Sequence, residues 1–301
     1  MLVRTLRGLA LCCAFVLCAS ANAACPPAGH TADSLQALKA RDFELSNAET
    51  RNQLAVALAD CLGHSDPQLR DGVAFEGLAA WMRKGQLETA TLRELHARLV
   101  PMLKAEDPQG FRRPFASLVL SEVVRTDRIQ PWMTVDERAR LVEAAAAYLE
   151  RITDYRGFID GEGWRHGVAH TADLALQLAL LPQLDLGQLN RLREAIAKQV
   201  APAGKHAYIH GEPLRLARAV FYTAKRGLHD AIDWEAWLAR VSASSPLTSW
   251  NDAFSSEAGL AKRHNTAAFL SMLYLIAQEQ DDAETRDRLL PGLRAAVKNV
   301  P

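Results

Sequence analysis

The tripeptide Asp66-Pro67-Gln68 returns as Asp107-Pro108-Gln109, 41 positions further on, and self-similarity at such a period confines a chain to stacked repeat architectures. Units of this size cannot bury an apolar face alone, so each must pack on its neighbours. A third copy follows. Asp107, Gly110, Phe111, Arg112 and Ala116 correspond at equal spacing to Asp160, Gly163, Trp164, Arg165 and Ala169, a shift of 53. Glu212-Pro213 ahead of Leu214 and Arg215 reads as a degraded fourth start. A matched aspartate and arginine in successive turns would let neighbouring units form a ladder of charged hydrogen bonds while their apolar faces stack. Chance similarity among alanine-rich helices is the competing explanation.

Helix signals recur along the whole chain. Ser46 with Glu49 and Thr134 with Glu137 read as capping boxes, and Asp66-Pro67 and Asp107-Pro108 place an N-cap before a proline at the first helical position. Apolar runs with helical spacing follow, such as Leu69, Val73, Phe75 and Leu78 leading to Trp81, then Phe111, Phe115, Leu118 and Val119, then Leu141, Ala145 and Leu149. About a dozen helices are expected, with Gly63 and Gly85 as stops, and nothing alternates in the way a strand requires. The period lies within the ~40–47 residues of HEAT and armadillo units. The expected fold is therefore all-α, an α-α superhelix of HEAT/armadillo-like repeats, with residues 24–301 as a single helical-repeat domain.

Residues 1–23 read as a signal peptide. Arg4 and Arg7 form a basic start, Leu9 to Ala19 is apolar, and Ala21-Asn22-Ala23 offers a small-x-small cleavage pattern. A lipid anchor on Cys25 is the rival, but Asn22 stands where a lipobox wants a leucine-like residue. Cys12, Cys13 and Cys18 would leave with the leader, so Cys25 and Cys61 remain, an even number that suits an oxidising compartment. A Cys25–Cys61 disulfide is expected, with two separate buried thiols as the alternative, and export to the periplasm is the expected location. The mature chain carries no apolar run long enough to span a bilayer. Lysines plus arginines equal aspartates plus glutamates at 35 each, so there is no basic field for nucleic acid.

The third repeat start carries the least generic chemistry. If Gly163 to Leu181 is one helix, His166, His170, Asp173 and Gln177 fall within a band of about 60° at ~100° per residue. Trp164, Val168, Ala172, Ala175 and Ala179 take the opposite side, and leucines fill the flanks. A helix so apolar is expected to be buried, and its polar stripe then needs partners or a cavity. Two histidines four apart can reach one metal ion, with Asp173 as third ligand or as the carboxylate that orients a ring. The spacing resembles half of a zinc-peptidase signature and departs from it at Gly167, where the catalytic glutamate should stand. Asp160 and Glu162 could act as base only if the glycine-rich lead-in folds back over the stripe. The competing explanation is two histidines hydrogen-bonded between stacked helices.

Other polar groups are less specific. His206, Tyr208, His210 and Glu212 form a second cluster in a loop whose glycines, Gly204 and Gly211, could let it approach the stripe; Glu212 equally suits a helix N-terminus. Arg112, Arg113, Ser117, Ser121 and Glu122 could line the same surface, although a solvated or ladder role competes. Arg263, His264 and Asn265 read as structural, and Trp234, Trp237 and Trp250 as packing. No phosphate-binding glycine loop, Gly-x-Ser-x-Gly elbow or Cys-x-x-Cys pair is present.

Arg156-Gly157-Phe158, Gly163-Trp164-Arg165-His166, Ala169-His170 and Asp173 resemble the signature of a bacterial family known as domain of unknown function 2785. Phe111-Arg112-Arg113 and Leu120-Ser121-Glu122 extend the resemblance, which runs from about Leu35 to the last helix. It implies an all-helical fold without an established activity. The leader and the two cysteines look like features of an exported branch. The expected function is a binding or interaction scaffold whose peptide, glycan or small-molecule ligand meets His166, His170 and Asp173, with Glu162, Asp160, Arg165 and His210 as further candidates. The rival is a metal-dependent hydrolase on the same residues. No cofactor is expected under the first reading and a divalent metal under the second.

Overall fold

The computed structural model describes residues 25–301; the segment read as a leader lies outside them. Thirteen α-helices are found among the described residues. The first four are α1 (Ala32–Lys39), α2 (Ala48–Leu58), α3 (Pro67–Leu69) and α4 (Glu76–Arg83), with a π-helical turn, Arg70–Phe75, joining the last two into one rod. Then come α5 (Thr89–Met102), α6 (Arg112–Ile129), α7 (Val135–Glu150), α8 (Gly167–Ala179), α9 (Leu186–Val200) and α10 (Glu212–Lys225). The chain closes with α11 (Ala231–Val241), α12 (Glu257–Gln278) and α13 (Ala283–Asn299).

The helices stack in two rows. In one, α4 packs on α6, α6 on α8, α8 on α10 and α10 on α12; in the other, α5 lies against α6, α7 against α8 and α9, and α9 against α10. This is an all-α helical-repeat fold. The repeat starts have a structural meaning: Asp66-Pro67 opens the rod of α3 and α4 and Glu212 opens α10, while Asp107 and Asp160 lie in the turns that lead into α6 and α8. The core is continuous along the stack, and Trp234 and Trp237 are fully buried in it, as packing residues should be.

Several local expectations hold and others shift. Thr134 with Glu137 forms a true capping box, and Asp66 caps with Pro67 at the first helical position. The cap of α2 is Asn47, which accepts from Thr50 N, one residue later than Ser46. Asp107 does not start a helix at Pro108. Its carboxylate accepts from the backbone N–H groups of Gly110, Phe111 and Arg113 (3.1, 3.2 and 2.9 Å), so it secures the turn leading into α6. Cys25 and Cys61 form a disulfide, which fastens the N-terminal segment to the 3-10 turn after α2.

The ladder between units is built differently from a run of aspartate–arginine pairs. Arg70 donates to the Glu162 carbonyl (2.6 Å) and Arg165 to the Gln109 carbonyl (2.9 Å), and the two guanidinium groups lie 3.9 and 4.1 Å from the centroid of the Phe111 ring. Guanidinium planes satisfy unpaired turn carbonyls and stack on aromatic faces at once, which aspartate cannot do. Three consecutive repeat starts are thereby joined around one ring.

Candidate functional site

The lead-in to α8 is a hairpin and not the first turn of a helix. Strand β1 (Phe158–Ile159) pairs antiparallel with β2 (Gly163–Trp164), Phe158 opposite Trp164. Gly161 and Gly163 adopt positive φ (79° and 77°), which L side chains resist, and so let the chain reverse. The expected helix from Gly163 to Leu181 therefore shortens to α8. His166 becomes its N-cap in a left-handed conformation (φ 56°, ψ 38°), a strained state for a non-glycine residue. It is held there from both sides, its N–H donating to the Arg156 carbonyl and its own carbonyl accepting from His170 N (3.0 Å each). Trp164, expected on the far side of the helix, is instead stacked on His166 with ring centroids 4.7 Å apart.

The stripe meets a cavity of about 540 Å3 on the first row of helices. From α8 come His170, Asp173, Leu176 and Gln177, with His166 and Trp164 just ahead. Helix α6 supplies Leu118, Ser121 and Glu122; Phe75 and Arg83 stand at the two ends of α4; Arg215 and Arg218 come from α10 and His210 from the loop before it. Of the sequence candidates, His166, His170, Asp173 and His210 are brought together here. Asp160 and Glu162 are not. Asp160 is exposed at the hairpin turn, and the Glu162 carboxylate is bound by Arg165 at 2.7 Å. Arg165 belongs to the Phe111 sandwich and, with Arg113, lines a separate cavity of about 230 Å3.

The loop before α10 is pinned from a distance. Asn265, fully buried in α12, accepts from Tyr208 N (2.8 Å) and donates to the His206 carbonyl (2.9 Å). Glu212, at the first position of α10 and nearly fully buried, accepts from His210 N at 2.9 Å and lies 3.7 Å from His166 Nε2. Gly157 has no side chain because His210 occupies that space; a Cβ there would lie 2.0 Å from His210 Cδ2.

Burial sets the protonation states. It pushes His166 down to about 4, with Arg215 adding to the effect, and holds His170 well below the usual range. Both rings are neutral at pH 7. Burial pushes the Asp173 carboxyl up, while Arg215 and Arg218 pull it back. Asp173 is ion-paired with Arg215, and Glu122 accepts from Arg83 Nε at 3.1 Å through both oxygens. Three polar atoms on the cavity wall are buried without a partner: His166 Nε2, His170 Nδ1 and Gln177 Oε1. Among the described residues no group of three or more His, Cys, Asp and Glu is placed to hold a metal ion.

Phe75, Arg83, Arg215 and Arg218 escaped the sequence reading as members of this site. Arg215 carried a signal as part of the degraded fourth start, and Arg218 follows it one helical turn later. Phe75 and Arg83 come from another unit and carried none. Ser121 and Glu122, open from the sequence to lining this surface or to a solvated or ladder role, line the cavity.

Fold and site together define an all-α helical-repeat protein with an arginine-rimmed polar cavity on one row of its helices. The family model described as "Protein of unknown function (DUF2785)" matches residues 99–275, more than half of the sequence, and the chain belongs to that family. The match holds every cavity residue except Phe75 and Arg83, and it is narrower than the span from Leu35 to the last helix. No curated protein and no solved structure matches the chain.

Proposed function

We propose that the protein is an exported binding protein and that the cavity beside α8 is its ligand site, taking a small polar molecule. The carrying observation is the set of three buried, unpartnered polar atoms, on His166, His170 and Gln177, around one cavity. A buried polar group without a partner costs roughly 1–3 kcal/mol, so three around one space are kept at a price in stability that packing alone does not require. The Cys25–Cys61 disulfide supports export, since such bonds persist in oxidising compartments. The metal-dependent hydrolase gains no support: Asp173 is engaged by Arg215, and neither Asp160 nor Glu162 lines the cavity.

The test pairs a thermal-shift screen of metabolites, oligosaccharides and short peptides with the variant Gln177→Leu. The substitution removes an unsatisfied acceptor at nearly constant volume, so the variant should melt no lower than the wild type while losing the ligand shift. A screen without hits, or hits unaffected by Gln177→Leu, would reject the reading.

A further inference from the structure

The polar cavity does not stand alone. A second cavity of about 480 Å3 adjoins it, and the two share Phe75, Leu118, Trp164 and His170. The second is the more aromatic, with Phe115 and Phe158 added to its lining. Trp164 and Phe158 are 36% and 47% exposed and meet edge to face, ring centroids 5.3 Å apart. Aromatic surface held open to solvent at a cavity is a platform for an apolar or flat group.

The charges lining the two spaces are unequal in one respect. Each lining carboxylate has a cationic partner: Glu122 has Arg83, Asp173 has Arg215, Asp71 has Arg70 and Glu76 has Lys39. Arg218 lines the polar cavity, is exposed, and makes no ion pair or side-chain hydrogen bond among the described residues. One positive charge is left over. The unpartnered atoms add a second constraint. Gln177 Oε1 can only accept. A neutral His170 ring that carries its proton on Nε2 offers a lone pair at Nδ1. The buried polar atoms therefore ask for donors, and the rim asks for an anion.

We propose that the two cavities hold one amphipathic acid with a hydrogen-bond donor beside its carboxylate, that is, a hydroxy or amino acid with an apolar body. The carboxylate pairs with Arg218. The hydroxyl or ammonium donates to Gln177 Oε1 and His170 Nδ1, which side-chain rotation on binding uncovers. The apolar body lies against Trp164 and Phe158 in the second cavity. The assignment rests on the ligand-site reading above and narrows it to a chemical class.

Calorimetric titration of the disulfide-intact protein with five probes tests it. Phenyllactate and phenylalanine carry all three features; 3-phenylpropionate lacks the donor, phenylalaninol lacks the acid and lactate lacks the body. The first two should bind at least about tenfold tighter than any of the other three. Arg218→Ala should weaken phenyllactate by about tenfold or more and leave phenylalaninol unchanged, and Trp164→Ala should weaken every probe with a ring. Equal binding of phenylalaninol and phenylalanine, indifference to Arg218→Ala, or no binding by any probe at millimolar concentration overturns the proposal. A neutral or cationic screening hit that Gln177→Leu abolishes would also overturn it, while leaving the ligand-site reading intact.

Discussion

His166 and Trp164 lie face to face, ring centroids 4.7 Å apart and planes inclined by 23°, because a left-handed residue turns the chain between a strand and a helix. Burial, with the Arg215 charge beside it, keeps His166 neutral, and the ring lies on the wall of the polar cavity.

Stability should therefore fall with acidification. His166 takes its proton near pH 6.5 when unfolded but only at about 4 when folded. Between those values the unfolded chain binds more protons, so stability is full above pH 6.5, is lost as pH falls towards 4, and levels off below. The shift corresponds to roughly 3–4 kcal/mol at 1.36 kcal/mol per unit. His170 acts in the same direction, whereas Asp173, pushed up by burial, opposes both. Urea unfolding at pH 7 and pH 4.5 should show a smaller loss for His166→Gln than for the wild type; equal losses would contradict the assignment.

Gly157 and His210 should prove coupled. A methyl group at residue 157 collides with the imidazole, whose Cδ2 would lie 2.0 Å from the new carbon. Gly157→Ala should cost about 1–3 kcal/mol, as overpacking does. In a His210→Ala background the same substitution should cost little. A double-mutant cycle measured by chemical denaturation checks this, and additive effects would show that His210 does not hold that space in solution.

Reduction of the Cys25–Cys61 bond, which spans a sequence separation of 36, should lower stability by about 3–4 kcal/mol on a chain-entropy estimate. Cys61 is fully buried, so its thiol should resist labelling in native protein even with reductant present, whereas the half-buried Cys25 should react once reduced. Unfolding midpoints with and without reductant, and for Cys25→Ser with Cys61→Ser, give the measurement. Rapid labelling of both thiols in native, unreduced protein would refute the bond.

Arg138 of α7 and Asp127 of α6 form a buried ion pair between helices outside the site. Arg138 Nε and Nη2 donate to the two carboxylate oxygens at 2.8 and 3.0 Å, and Asp127 also accepts from the N–H groups of Trp132 and Met133 at 2.7 Å. Arg138→Ala strands a carboxylate with no exposed surface and should cost about 3–5 kcal/mol in thermal or urea unfolding. A loss under 1 kcal/mol would mean that water reaches the carboxylate.

What the sequence determined by itself was periodic and local. The all-α repeat class, the Asp66 and Thr134 caps and the common side of His170, Asp173 and Gln177 follow from spacing along the chain, because helical geometry makes sequence distance a guide to direction. The Cys25–Cys61 partnership follows from the cysteine count, since only those two remain after the leader. Tertiary structure decided the rest. The hairpin of Phe158–Ile159 and Gly163–Trp164 replaces a helical turn because glycines at positive φ reverse the chain there, and its backbone is anchored beyond the repeat by Arg70 on the Glu162 carbonyl. That hairpin moves Trp164 from the far face onto His166 and takes Glu162 away from the cavity to Arg165. Arg83 and Arg218 stand 135 positions apart and share no motif. They meet at one cavity because neighbouring helices of a row present their faces to a common space, and the stacking of units is a long-range fact that no local spacing encodes.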